Sequence, residues 1–186
     1  MNTLDYSKTI LSELGVVLAM VDPDEAETLA DAILRAGKIM VAGAGRSGLA
    51  ARAFAMRLMH MGLTVYVVGE TVTPNLEAGD LLIIASGSGE TGSLVVMSGK
   101  AKQIGATLAT LTIRPDGSVG RLADIIVRIP APTPKVAVED AFKSIQPMGS
   151  LFEQSLFILF DALILRLMER LGDDSETMFA CHANLE

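Results

Sequence analysis

The residues best suited to chemistry lie in two short runs, Val41-Ala-Gly-Ala-Gly-Arg-Ser-Gly48 and Ser86-Gly-Ser-Gly-Glu-Thr91. Glycine lets a backbone approach a ligand closely and turn its N–H groups toward it. Ser47, Ser86, Ser88 and Thr91 add hydroxyl donors, with Gly87, Gly89 and Glu90 interleaved. Each run follows an apolar stretch and opens into a helical pattern. Each therefore also offers the unpaired N–H groups and partial positive charge of a helix N-terminus. Two such loops in one small domain make a cradle for a phosphorylated or multiply hydroxylated small molecule. Arg46 offers a further charge and reads equally well as a solvated side chain.

Glu153 follows Pro147-Met148-Gly149 and falls in the first turn of the last long helical pattern. Two readings stand side by side. It is an acid favoured there by the helix dipole, or it is a catalytic base whose burial offsets the dipole's lowering of its pKa. His60 closes a helical pattern just before Gly62, a favoured structural place for histidine, and His182 lies in a polar C-terminal tail.

Gly43-x-Gly45-x-x-Gly48 formally matches the dinucleotide fingerprint, with Glu70 near the distance expected of a ribose-binding acid. A simple dinucleotide site does not require the second loop, however. The chain also lacks room for a second mononucleotide half plus a substrate domain. The first loop is no Walker A motif, because Gly-Lys-Ser/Thr is absent. No histidine and carboxylate set has metal-ligand spacing, and Cys181 beside His182 is a weak zinc signal. The expectation is no cofactor and no metal.

The elements that must position these residues alternate along the chain. Leu4–Met20 reads as a helix. Asp22-Pro23-Asp24-Glu25 starts another, with Asp22 as N-cap and Glu25 placed for a capping box. Helical patterns over 47–61 and 91–104 alternate with apolar runs at 39–42, 64–68, 81–85, 107–112 and 124–129. Gly37, Gly62 and Gly105 end three helices just before a strand. Pro130, Pro132, Pro134 and Pro147 mark an extended connection to the long helix near 151–171. This pattern predicts an α/β fold: a five-stranded parallel sheet in the flavodoxin-like order 2-1-3-4-5, with helices on both faces. In that order the crevice lies between the carboxyl ends of the first and third strands, which carry the two loops.

Composition bounds the rest. At 186 residues the chain fits one domain with a sizeable core, built from Ala, Val, Leu, Ile and Met because tryptophan is absent. A net charge of −7 argues against a nucleic-acid partner or an anionic membrane surface, while leaving a local anion site possible. One cysteine excludes an internal disulfide framework and fits a reducing cytoplasm, and the N-terminus shows no signal-peptide pattern. Leu151–Met168 is apolar enough to suggest a membrane span, but Glu153, Gln154, Asp161 and Arg166 interrupt it. It reads as a buried helix. It and Ile10–Met20 are apolar on so many faces that some of their cover is expected from other subunits.

The two loops, their strand positions and the flanking helices resemble the SIS (sugar isomerase) domain. Arg57-Leu-Met-His-Met-Gly62, Val67-Val-Gly-Glu-Thr-Val-Thr-Pro74, Ser86–Thr91, Met148-Gly-Ser-Leu-Phe-Glu153 and His182-Ala-Asn-Leu-Glu186 look like the 6-phospho-3-hexuloisomerase family. The resemblance spans essentially the whole chain. It departs at Met61 and Ser150, which carry no assigned role. It implies a single SIS domain over 1–186, with N-terminal helices, a long C-terminal helix and a tail. It implies isomerisation between D-arabino-hex-3-ulose 6-phosphate and fructose 6-phosphate, the isomerase step of formaldehyde fixation by the ribulose monophosphate route. It further implies no redox cofactor, a homotetramer with a site shared between subunits, and functional pairing with 3-hexulose-6-phosphate synthase. By the same resemblance Ser47 and Ser86–Thr91 bind the phosphate end, Glu153 is the candidate base, and His182 is lent by a neighbour. Two alternatives share the loops: a sensor of sugar phosphates, which needs no base, and an isomerase of another sugar phosphate.

Overall fold

A computed structural model of the chain describes residues 1–134 and 143–184. The helices are α1 (Thr3–Leu18), α2 (Pro23–Arg35), α3 (Gly45–His60), α4 (Gly92–Ile104), α5 (Ser150–Leu171) and α6 (Ser175–Ala180). The strands are β1 (Ile39–Gly43), β2 (Val65–Val67), β3 (Leu81–Ala85), β4 (Thr107–Thr112) and β5 (Ile125–Arg128). They pair in parallel in the order β2-β1-β3-β4-β5, as the alternating pattern predicts. Part of the proline-marked connection, 135–142, lies outside the described residues, as do the last two residues of the tail.

Side chains alternate across the sheet with the period of two that strands impose. Ile39, Val41, Leu81, Ile83 and Ala85 point to one core, with Leu14, Ile33, Phe54 and Phe160 from α1, α2, α3 and α5. Met40, Ala42, Leu82, Ile84 and Leu108 point to the other face, which α4 covers through Leu94 and Ala101. The central strands are therefore buried on both sides and read as continuous apolar runs.

The long apolar helix finds much of its cover within the chain. α5 packs against α1, α2 and α3, and Phe160 stacks on Phe54 with ring centroids 4.2 Å apart. Its charges have partners too: Arg166 Nε donates to Glu27 of α2 at 3.0 Å, and Arg170 to Asp31 at 2.5 Å. Among the described residues no helix is long and apolar enough to cross a membrane. Leu11 and Val16 of α1, Met56 of α3, and Phe157 and Leu165 of α5 still face outward.

Two local expectations are corrected. Glu25 closes no capping box; Asp22 caps Asp24 N–H, and Glu25 instead accepts the Arg128 N–H at 2.7 Å, tying α2 to β5. Gly37 is not a left-handed cap. α2 ends at Arg35, and Ala36 already leaves in an extended conformation, so no positive φ is needed. Gly62 and Gly105 do take positive φ, at 76° and 86°.

The turn from β1 into α3 depends on a backbone contact. A methyl on Gly48 would lie 2.6 Å from the Gly43 carbonyl oxygen, and one on Gly43 would lie 2.8 Å from Gly48 Cα. The fingerprint spacing here serves strand-to-helix packing. Gly48→Ala is expected to destabilise the protein by about 1–3 kcal/mol, read as a lowered urea midpoint at unchanged slope. An unchanged midpoint would show that the turn relaxes freely.

Candidate functional site

A cavity of about 290 Å³ opens beyond the carboxyl ends of β1 and β3, where the strand order reverses. Its walls include Ser47, Gly87, Ser88, Thr91, Met148 and Glu153. Three helices begin on it: Ala44, Thr91 and Gly149, the N-caps of α3, α4 and α5, all line the cavity. None of the three makes a side-chain capping bond. The contrast with the other helices is sharp: Asn2, Asp22 and Asp174 cap α1, α2 and α6 through their side chains. The donors that capping would satisfy are thus left toward one space, together with three positive dipole ends. An anion is the natural occupant.

The second loop is built to present donors. The Ser86, Gly87 and Gly89 carbonyls accept from Gly89 N–H, Ile113 N–H and Val119 N–H at 3.2, 3.0 and 3.0 Å. Thr112 Oγ1 adds a bond to the Gly87 carbonyl at 3.2 Å. By contrast, the N–H groups of Gly87 and Ser88 donate to no described residue. A side chain at position 87 would crowd the rings and methyls of Phe152 and Ile113, which explains the glycine. Ser86 is buried at the root of the loop, behind the lining residues. Glu90 turns away from the cavity. Its carboxylate accepts from Ser118 N–H at 2.8 Å and Ser118 Oγ at 2.7 Å, bonds that hold its pKa below the usual carboxylate range. Gly89 and Glu90 therefore brace the loop against the 114–120 segment.

Glu153 enters from α5. Its side chain is 19 % exposed, and Arg46 Nε donates to its Oε2 at 2.6 Å. Arg46 is itself 62 % exposed, so the pair sits at the cavity's open side. Glu153 is presented by a strained corner: Met148, just before the N-cap, has φ 59° without being glycine.

The arrangement gathers Ser47, Gly87, Ser88, Thr91 and Glu153 around one cavity, and it leaves His182 elsewhere within the protomer. His182 lines a separate cavity of about 420 Å³ with Arg57, His60 and Phe179. Its ring stacks on that of His60 at 5.4 Å. Burial first, then Arg57 and His182, push the His60 pKa down. Glu70 does not face a ribose site; its carboxylate pairs with Arg52 of α3. Among the described residues no cluster of three or more His, Cys, Asp or Glu could hold a metal ion. Sequence reasoning undervalued Arg46, although its place beside Ser47 was the available signal. Thr133, which also lines the cavity, carries no sequence signal, and Met148 stands out only as part of the Met148–Glu153 segment.

Comparison with known proteins agrees with this geometry. The SIS domain family model matches residues 32–158. The chain is 54% identical to the Bacillus subtilis 3-hexulose-6-phosphate isomerase over 186 residues, covering all of both chains. It is 45% identical to the Mycobacterium gastri 3-hexulose-6-phosphate isomerase, covering 95% of this chain and 88% of that one. A Methanococcus jannaschii crystal structure, from which a 3-hexulose-6-phosphate isomerase function was inferred, superposes with a TM-score of 0.85 at 34% identity. That match covers 98% of this chain and 99% of the other. With its 2-1-3-4-5 sheet, its paired hydroxyl-rich loops and full-length relatives of this kind, the chain belongs to the SIS domain family and, within it, to the family of 3-hexulose-6-phosphate isomerases.

Proposed function

We propose that the chain interconverts D-arabino-hex-3-ulose 6-phosphate and fructose 6-phosphate, the isomerase step of the ribulose monophosphate route. The observation that carries this reading is one cavity holding three uncapped helix N-termini and one carboxylate, Glu153. The phosphate takes the N–H groups of Gly87 and Ser88 and the hydroxyls of Ser47, Ser88 and Thr91, while Ser86, buried behind them, supports the loop from its root. Gly89 and Glu90 hold that loop in shape. Anchoring the phosphate fixes which sugar carbons meet the base.

Glu153 removes the C2 proton of the hex-3-ulose. The C2–H electron pair becomes the C2–C3 double bond of an enediol, and the C3 carbonyl oxygen takes a proton. Collapse in the other sense forms the C2 carbonyl, and the carboxylic acid returns its proton to C3. One carboxylate serves both carbons when they lie on the same side of it. The sugar gains and loses no atoms or electrons overall, so the chemistry calls for no redox cofactor. Arg46 pairs with Glu153 and supplies positive charge as the enediolate develops. The transfer between the two sugar oxygens needs a donor and acceptor, a role His182 fills when a neighbouring subunit lends it. The outward apolar residues of α1, α3 and α5 support a homotetramer with such a shared site. Cytoplasmic location and functional pairing with 3-hexulose-6-phosphate synthase belong to the same reading.

Three outcomes test it. Ser88→Ala should weaken fructose 6-phosphate binding by about 1–3 kcal/mol in calorimetry, and inorganic phosphate should compete; unchanged binding would remove Ser88 from the cradle. Glu153→Gln keeps the shape of the side chain but cannot accept a proton. Its turnover should drop at least ~100-fold with little change in melting temperature, and solvent deuterium should no longer enter the substrate's C–H positions. Near-normal turnover would return Glu153 to the role of a helix-start acid. For the shared site, subunits of Glu153→Gln and His182→Ala are mixed and allowed to exchange. Partial recovery of activity is expected, whereas an exchanging mixture that gains none, or a monomeric protein in sedimentation, would rule the shared site out.

A further inference from the structure

Glu13 is a charged side chain buried in the N-terminal helix, outside the 32–158 region that the SIS domain model matches, and only 7 % of it is exposed. It is not idle. Its carboxylate accepts from Ser144 Oγ at 2.7 Å, from Ile145 N–H at 2.8 Å and from Gln146 Nε2 at 2.9 Å. Within that segment Gln146 N–H donates to Ser144 Oγ at 3.0 Å, closing a small network. Burial alone would raise the Glu13 pKa, but the bonds from Gln146, Ile145 and Ser144 outweigh it and the net direction is down. The carboxylate is therefore held ionised by neutral donors.

What these three bonds hold is the entrance to the site. Gln146 is followed by Pro147, the strained Met148 and the N-cap Gly149. The Pro147 carbonyl accepts Ser150 N–H at 3.2 Å, and the Gly149 carbonyl accepts Glu153 N–H at 2.9 Å. Met148, Gly149 and Glu153 all line the cavity. A corner strained at Met148 persists only when its surroundings fix it on both sides. α5 packing fixes one side, and Glu13 fixes the other.

We propose that Glu13 is a positioning residue for the isomerase site: by clamping 144–146 it fixes the Met148–Gly149 corner and with it the placement of Glu153. The inference rests on the reading of Glu153 as the base. It separates the two halves of the site, because the groups assigned to the phosphate, Ser47, Gly87, Ser88 and Thr91, lie on the turns into α3 and α4, whereas the clamp reaches the start of α5.

The test compares wild type with Glu13→Leu, which keeps a helix-forming, buried side chain but removes every acceptor. Hydrogen exchange of a peptide spanning 144–150 should accelerate, and kcat should fall about 10- to 100-fold, as misplacement of a reacting group predicts. Competitive inhibition by inorganic phosphate should stay within about 2-fold of wild type, since a clamp of this kind moves the base and not the cradle. Glu13→Gln should restore most of kcat. Its carbonyl oxygen accepts Ile145 N–H, and the Gln146 amide, whose Oε1 has no partner, can invert to receive the new NH₂. Should Glu13→Leu fail to fold, Ser144→Ala combined with Gln146→Leu removes two of the same bonds from the other side and decides the matter, with the same direction in kcat. Wild-type kcat despite accelerated exchange overturns the proposal. So does unchanged exchange, or a parallel loss of kcat and phosphate inhibition. Failure of the underlying reading is distinct: it shows as an active Glu153→Gln enzyme with Glu13 intact.

Discussion

Three helices of this protein begin without side-chain caps, and all three begin at the same cavity. A helix start leaves N–H donors that must find partners, and its dipole places partial positive charge there. Converging three such ends is unfavourable in an empty cavity and favourable only around negative charge. The other helices show that the chain has capping residues to use, since Asn2, Asp22 and Asp174 do that work away from the site. Much of the architecture follows from meeting this constraint: the strand order that brings β1 and β3 together, and the glycines that let loop and helix meet at backbone distance.

The same constraint explains how a chain of net charge −7 can attract a phosphate. Field is local at the scale of a Debye length. The cavity lining offers N–H donors and hydroxyls, and the one carboxylate among its described residues, Glu153, is already paired with Arg46. Glu90, the acid inside the cradle motif, is turned outward onto Ser118, so it shapes the loop without opposing an anion.

The proposed base and the proposed cradle come from different parts of the fold. The cradle belongs to the sheet's own strand-to-helix turns. Glu153 rides on α5, a helix held by α1, α2 and α3 and entered through a corner that α1 secures. Apolar surface on α1, α3 and α5 extends that support outward, where subunits meet in the proposed tetramer.

The sequence by itself determined the strand order, the two loops and their place at the crevice. These are local properties: short apolar runs, glycines and hydroxyls recur within a few residues of one another, and the alternation of elements leaves few topologies. It also marked Glu153 as a first-turn acid, without deciding between base and bystander. Tertiary structure alone joined Arg46 to Glu153 across 107 positions, and Glu13 to Ile145 across 132. It alone turned Glu25 to β5 instead of a capping box and set His182 against His60. Contacts at such separations are fixed by how helices pack on the sheet, and packing leaves no local pattern in the chain. The site's donors were legible because they are neighbours in sequence, whereas the pairing of its acid with Arg46 and the support from Glu13 were not, because those groups are neighbours only in space.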